Sequence, residues 1–521
     1  MTGPNILLII LDTMRRDRLS AYGHARDTSP NFDAFATDAT LFERAISPAQ
    51  WTVPAHGSLF TGLYPGAHGL TQADGRLADD LPTLAELLHD AGYHTAGFCN
   101  NPLLGVLEHG LQRGFDEFYN YAGVTPNRPI DMRRSTARRQ ISRRIRRFAR
   151  TVSNQFAQSD LLFRVSLNPA FVPLWTRLIN FKGDTGKSIG DLIDYWTAYS
   201  AGGADRPLFA FLNLMGTHLP YRPPQDYLDR VAPRLRGDSH AYTFMGRMNA
   251  DAAGWASPAD PPLEDWQHRV LTDFYDAEIA HQDYHLGRLF DMLRKSGQLD
   301  NTLVIVAADH GEGHGDHNFM GHSFVVYQEL VHVPLVVRYP ERFPAGKRVT
   351  TNVSTRRIFH TVLDTAGIEP HKAPERRMSE DDPNANVGRL TLAVSTNGRP
   401  DPEGSIAYAE AVPPVTFLNT LKHRNPSVIE RLALTQVRRG VYDGAHKLTM
   451  IGGQAAELFD VADDPAEKRD VADQNPTLVA DLQRKLTAFV ADMESQRAAV
   501  GQSQNVSDDV VENLRSLGYL E

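Results

Sequence analysis

Cysteine is almost missing from this chain: Cys99 is the only one in 521 residues. A single thiol excludes any internal disulfide and fits a reducing compartment, so a cytoplasmic protein is expected. Long apolar runs are also lacking, and none approaches the roughly 18 residues that would cross a bilayer. The apolar stretch near the N-terminus, Ile6 to Leu11, has no basic region before it and no cleavage site after it. It therefore reads as a buried strand and not as a signal peptide. Excess positive charge is confined to one segment. The formal net charge is −9, yet ten arginines stand between Arg128 and Arg150 against one acid, Asp131, which leaves −18 on the rest. That distribution is not the footprint of a general nucleic-acid binder. What remains is 41% hydrophobic and 22% charged, a composition that folds around a substantial core.

Short β-rich apolar runs alternate with helical patterns, which predicts an α/β fold with a mostly parallel sheet covered by helices. The clearest strands are 5–11, 95–99, 207–214, 302–308 and 333–339, with helices over 82–91, 265–295 and 355–366. From about Ala373 to Gly404 the chain is rich in Pro, Asp, Asn and Gly, and a boundary is expected there. Beyond it, 405–411, 438–444 and 446–451 read as antiparallel strands and 477–497 as an amphipathic helix. The expected organisation is a catalytic domain over 1–372 with an Arg-rich helical insertion at about 126–180, a linker over 373–404, and a smaller α+β domain over 405–521.

The polar residues just past the strands carry the chemistry. Strand 5–11 ends in Asp12-Thr13, strand 207–214 runs on to His218, and strand 302–308 runs into "DHGEGHGDHNFMGH", from Asp309-His310 to His322. In open parallel sheets, ligands bind beyond the carboxyl ends of the strands. Three segments would thus bring Asp12, His218 and the Asp309-His310 pair to one edge. Carboxylates together with imidazole suit one divalent cation, with Mn²⁺ or Zn²⁺ favoured over Ca²⁺ or Mg²⁺. In "WTVPAHGS", Pro54 predicts a helix start, which leaves two readings of Thr52 open: a helix cap, or a nucleophile activated by the helix N-terminus and a metal.

Taken together, these segments resemble the sulfatase branch of the alkaline phosphatase superfamily. "NILLIILDTMRRDRLSAYG" is similar to the opening strand and first metal-binding aspartate. "TVPAHGSLFTGLYP" lies where the family carries its Cys/Ser-x-Pro-x-Arg signature, and "VIVAADHGEGHGDH" resembles the metal-binding Asp-His segment. "ELFDVADDPAEKRDVA" is similar to the C-terminal domain. The resemblance implies an αβα sandwich with a large, mostly parallel sheet and a smaller C-terminal domain with an antiparallel sheet. It implies one divalent metal held by Asp12, Asp309, His310 and Thr52, with Thr13 in the place of a further aspartate ligand. It also implies Thr52 as nucleophile and His218 as the proton donor to the leaving group. His56 stands at the signature arginine, His322 at a substrate-binding lysine, and "CNNPL" replaces Lys-x-His, so His56, His322 and Asn100 are expected to contact substrate.

True sulfatases convert the signature cysteine or serine to formylglycine, and a threonine is not expected to give that aldehyde. The superfamily's phosphoryl-transfer members use threonine. The expected activity is therefore metal-dependent hydrolysis of a phosphodiester, phosphonate or related ester through a covalent Thr52 intermediate. The alternatives are a sulfuric ester hydrolase working without formylglycine, a phosphotransferase to an alcohol acceptor, and a catalytically silent binding protein. The expected substrate is a small-molecule or lipid- or glycan-linked ester, with no nucleic acid, and a homo-oligomer is compatible with the composition. In the Arg-rich segment 128–150, Ile141, Ile145 and Phe148 recur at helical spacing, a pattern that suits peripheral contact with an anionic membrane.

Overall fold

The apolar run that opens the chain forms β1 (Asn5–Leu11), which lies in the middle of a ten-stranded sheet in a computed structural model of the protein. The structure describes residues 3–124, 130–131, 179–180, 182–203, 205–250, 254, 258–369 and 390–500. The arginine-rich segment lies outside them, apart from the backbone of a two-residue strand at Ile130–Asp131.

The other strands of this sheet are β2 (Thr40–Ile46), β3 (His94–Cys99), β4 (Glu117–Asn120), β5 (Ile130–Asp131), β6 (Leu208–Leu214), β7 (Thr302–Ala307), β8 (His332–Val333), β9 (Leu335–Arg338) and β10 (Arg348–Ser354). The order is β8-β2-β9-β7-β1-β6-β3-β4-β5, with β10 paired to β2. From β7 through β4 the five central strands are parallel. Next to β7, β9 runs antiparallel to both of its neighbours. Residues Ile6 to Leu11 are buried on both faces, which is why β1 reads as an unbroken apolar run and not as an alternation.

Helices cover the sheet: α1 (Pro30–Thr37), α2 (Thr52–Thr61), α3 (Leu84–Asp90), α4 (Thr185–Ala201), α5 (Asp265–Lys295) and α6 (Arg357–Ala366). Two of their starts show contrasting local chemistry. At α3, Thr83 accepts from the Glu86 N–H at 3.2 Å while the Glu86 carboxylate accepts from the Thr83 N–H at 3.0 Å, a reciprocal capping box. At α2 the cap position is Trp51, which has no side-chain acceptor, and all ten helical residues are buried. Such a helix is held by packing on every side rather than by an amphipathic face.

The C-terminal lobe is a four-stranded antiparallel sheet, β11 (Ile406–Ala411), β12 (Arg438–Asp443), β13 (His446–Ile451) and β14 (Gln454–Asp460), followed by α7 (Pro476–Val500). The lobe is packed on the larger body. Phe489 of α7 stacks on Tyr408 with centroids 4.0 Å apart and meets Tyr64 edge-on at 4.9 Å. The stretch 390–404, placed in a linker by its composition, is packed as well. Leu392 is fully buried, and Arg357 of α6 donates to the Leu390 and Thr391 carbonyls and to Asp401. A buried guanidinium holds this polar sequence down, which composition could not reveal.

Candidate active site

Because β7, β1, β6 and β3 are neighbours running the same way, the residues just past their ends meet at one edge of the sheet. Asp12 follows β1, Asn100 and Asn101 follow β3, Asp309 and His310 follow β7, and His218 lies four residues beyond β6. Helix α2 brings Thr52 to the same place.

Asp12, Asp309 and His310 are fully buried, and their ligand atoms lie within 4.8 Å of one another. His310 Nδ1 donates to the Gly311 carbonyl at 2.8 Å, which turns the Nε2 lone pair into the cluster, 3.4 Å from Asp309 Oδ2 and 3.9 Å from Asp12 Oδ1. Asp12 Oδ1 and Asp309 Oδ2 accept no hydrogen bond although both are buried. Burial pushes Asp12 up to about 6, and burial together with the charge of Asp12 pushes Asp309 well above the usual carboxylate range. Two orphaned carboxylate oxygens with no fixed cation beside them are what a cation-binding set leaves when described without its ion. Two carboxylates, an imidazole and a neighbouring hydroxyl fit a divalent ion.

Thr52 is the first residue of α2, one position too late to cap it, and its side chain makes no capping bond. Its Oγ1 instead lies 3.3 Å from His310 Nε2 and 3.4 Å from Asn101 Nδ2. The hydroxyl that was open to two readings thus points at the cluster. Asn101 emerges as a site residue that strand-end reasoning did not single out. Its Oδ1 accepts from the Leu103 N–H at 2.9 Å, which fixes the amide orientation, and its Nδ2 donates to Asp12 Oδ2 at 2.6 Å. Asn213 of β6 adds a longer bond to the same oxygen at 3.4 Å. A fully buried asparagine inside the apolar run "FLNL" was the available signal for it.

The structure redistributes the remaining expected residues. Thr13 donates its hydroxyl to the Asp12 carbonyl at 2.6 Å, and its backbone, at a φ of 60°, aims its N–H at Asp309 Oδ1 at 3.3 Å. A threonine in the left-handed region is strained by about 1–3 kcal/mol, a conformation that persists where the surroundings require it. His56 is fully buried behind the cluster. Its Nδ1 donates to the Thr52 carbonyl at 2.9 Å and lies 3.4 Å from Asp309 Oδ2, so it backs the first turn of α2 and a carboxylate. Burial lowers its pKa to about 4, which favours its neutral form at pH 7, so it does not bring the positive charge that the resemblance led one to expect at the signature arginine. Asn100 is fully buried with neither amide atom hydrogen-bonded, in keeping with a polar group awaiting a ligand.

Two further imidazoles complete the edge. His322 packs 4.6 Å from the His310 ring and 5.3 Å from the His218 ring, centroid to centroid. Burial opposes charge on His322, but Glu312, with Oε1 2.7 Å from Nδ1, outweighs it and raises the pKa. Burial, followed by the charge on His322, lowers His218 to about 3, and His218 Nδ1 donates to the Leu219 carbonyl at 2.7 Å. Glu312, which no sequence pattern singles out, is therefore the partner that raises the pKa of His322 while that of His218 falls. Cys99 is buried nearby with its thiol pKa pushed up by burial, which makes it a packing residue and not a nucleophile.

A second acidic-histidine group, His317, Glu329 and Glu467, lies between the loop after β7 and the C-terminal lobe. Its cation is already supplied. Lys447, fully buried, sits 2.6 Å from Glu467 Oε1.

The sulfatase family profile matches residues 4–368. The chain belongs to the sulfatase family. This sulfatase-family chain is 24% identical over 386 residues to an arylsulfatase of Clostridium perfringens, covering 70% of this chain and 73% of that one. Its fold superposes on a phosphonate monoester hydrolase of Agrobacterium radiobacter with a TM-score of 0.62 and 23% identity, covering 96% and 97% of the two chains. A phosphonate monoester hydrolase from Silicibacter pomeroyi gives 0.60 and 21%, covering 97% and 100%. Membership makes the chain a hydrolase of the alkaline phosphatase superfamily, whose sulfatase branch generally uses a divalent metal. Among the described residues no helix is long and apolar enough to cross a membrane.

Proposed function

We propose that this sulfatase-family hydrolase uses Thr52 as its nucleophile and cleaves a monoanionic phosphorus ester, a phosphodiester or a phosphonate monoester, in preference to a sulfate ester. One observation carries the reading. The Thr52 hydroxyl leaves its own helix uncapped and lies between His310 Nε2 and the Asn101 amide, at 3.3 and 3.4 Å. The electrostatics support the choice of substrate. None of the described hydrogen-bond partners of Thr52, Asp12 and Asp309 is a lysine or arginine, so little fixed positive charge awaits a dianion. The likeness to two phosphonate monoester hydrolases agrees with it.

A divalent cation held by Asp12, Asp309, His310 and Thr52 Oγ1, Mn²⁺ or Zn²⁺ by its mixed donor set, would lower the hydroxyl's pKa and balance the carboxylates. The chain's own residues do the rest. Thr52 Oγ enters as the alkoxide that its lowered pKa makes available and returns as the alkoxide when water displaces it. It forms a bond to phosphorus as the bond from phosphorus to the leaving oxygen breaks, and His218 Nε2 gives its proton to that oxygen. The low pKa of unliganded His218 makes an anionic ester the partner that restores this proton, since negative charge beside an imidazole favours its charged form. His322, whose charged form Glu312 favours, and the unpaired amide of Asn100 are placed to take the oxyanion charge. Neutral His218 then accepts a proton from water as water bonds to phosphorus and the phosphorus–Thr52 bond breaks.

A panel of 4-nitrophenyl phosphate mono- and diesters, phosphonates and sulfates, assayed with Mn²⁺, Zn²⁺, Mg²⁺ and Ca²⁺, tests the reading. Diester or phosphonate turnover is expected to lead, and Thr52→Ala is expected to lose at least ~10³-fold with its metal content intact. Wild-type turnover by Thr52→Ala would remove Thr52 from the mechanism, and turnover of sulfates alone would overturn the choice of ester.

A further inference from the structure

The loop that carries His218, residues 215–222, is held from outside by one lysine. Lys182 Nζ donates to the Gly216 carbonyl at 2.8 Å, to the Pro220 carbonyl at 3.0 Å and to Glu278 Oε1 at 3.0 Å. The two carbonyls stand two residues before and two residues after His218. An ammonium has three donors, and here all three are used. The group is largely out of solvent, 17% exposed, and its counter-charge Glu278 is 5% exposed. The same glutamate oxygen accepts the Arg222 N–H at 2.7 Å, and Gln282, one turn along α5, accepts the Gly216 N–H at 3.0 Å. Thr217 reaches the other way and donates to the Asp12 carbonyl at 2.7 Å. The loop is thus pinned at both ends to α5 through Lys182 and its glutamate, and at its middle to the strand end that carries Asp12.

We infer that Lys182 is a positioning residue for proton donation to the leaving group: by closing the loop across the carbonyls of Gly216 and Pro220, it sets where the His218 ring stands relative to the departing oxygen. The step it serves is the one in which the bond from the central atom to the leaving oxygen breaks and the His218 Nε2 proton passes to that oxygen. The inference rests on the reading of His218 as that donor. Lys182 touches neither the nucleophile nor the carboxylate cluster, so its influence should fall on leaving-group departure and spare metal binding.

Leaving groups of different acidity separate this role from a structural one. A general fall in active fraction lowers every substrate alike, whereas misplacement of a proton donor matters only where the departing oxygen needs the proton. With a series of substituted aryl esters of the class that the panel shows to be turned over, Lys182→Met is expected to lose ~10–100-fold on unsubstituted phenyl esters. On 2,4-dinitrophenyl esters the loss should stay under about threefold, with metal content unchanged. Glu278→Gln keeps an acceptor for Arg222 and loosens the ammonium, so it should show the same trend more weakly. It serves as the second variant if Lys182→Met does not fold. His218→Ala should show the steepest dependence, and adding Lys182→Met to it should add no further leaving-group selectivity. A uniform loss across the series in Lys182→Met and Glu278→Gln, or full additivity with His218→Ala, would overturn the role of Lys182. A flat series in His218→Ala would instead remove the reading on which it rests.

Discussion

Replacing Asn101 tests the site most directly, because one amide holds a carboxylate, the Thr52 hydroxyl and a helix start at once. Its Nδ2 bond to Asp12 Oδ2, at 2.6 Å, is a buried, charge-assisted hydrogen bond worth about 1.5–3 kcal/mol. Only Asn213, at 3.4 Å, would remain on that oxygen. Loss of such a support for a ligating carboxylate lowers metal affinity by about 10–100-fold, which is the same energy seen from the ion. The longer contact to Thr52, at 3.4 Å, is a weak neutral bond whose removal should cost no more than about tenfold in turnover at saturating metal. The Oδ1 bond to the Leu103 N–H is a helix cap worth about 1 kcal/mol of stability. Asn101→Ser keeps a cap but is too short to reach Asp12, whereas Asn101→Ala loses both. Calorimetric titration with Mn²⁺, turnover at saturating Mn²⁺, and urea unfolding separate the contributions. Both variants should bind metal about 10–100-fold more weakly, and only Asn101→Ala should also lose about 1 kcal/mol of stability. Unchanged Mn²⁺ affinity in Asn101→Ser would refute the reasoning, since Asp12 would then not depend on the amide.

Three further outcomes are expected. Gly311→Ala should disrupt the loop after β7, because a Cβ there would stand 1.9 Å from the Glu329 carbonyl oxygen. Loss of metal binding together with a lowered unfolding midpoint is expected, and a fully active, equally stable variant would contradict the close packing. His68 is buried, accepts the Leu70 N–H on Nδ1 at 3.1 Å, and has its pKa lowered by burial from 6.5 to about 3. The unfolded chain therefore takes up this proton first, so the contribution is fully present above pH 6.5 and is lost as pH falls towards 3, by about 2 kcal/mol at pH 5. Urea unfolding at pH 7 and pH 5 should show this decline shrinking by about that amount in His68→Gln, and an identical decline would count against it. Finally, Lys447→Met leaves the Glu467 carboxylate buried without its cation and should cost about 3–5 kcal/mol in unfolding experiments. Adding Glu467→Gln should recover part of that loss, and no recovery would show that the charge was not the cause.

Much of this protein was legible along the chain. The strands β1, β6 and β7, the helix α5 and the three antiparallel strands β11 to β13 lie within a residue or two of the boundaries their patterns predict. Strands buried on both faces need unbroken apolar runs, and a chain that ends such runs in Asp, Asp-His and a loop with His announces its ligand edge. Periodicity cannot report side-chain direction at a helix start, and only the fold shows that the Thr52 hydroxyl makes no cap and lies beside Asn101 and His310. Nor does spacing in sequence tell which imidazole carries charge. His56 and His322 are both buried or nearly buried histidines at the same sheet edge. Burial lowers the pKa of His56 to about 4 although Asp309 Oδ2 stands 3.4 Å away, while Glu312 at 2.7 Å raises that of His322. The sequence by itself determined the fold class and the residues that reach one sheet edge, because these follow from local pattern, and its motifs carried the resemblance to the family. Tertiary structure alone decided which of those residues bond to one another and which lie behind the carboxylate cluster, because hydrogen-bond partners and burial come from segments far apart in the chain.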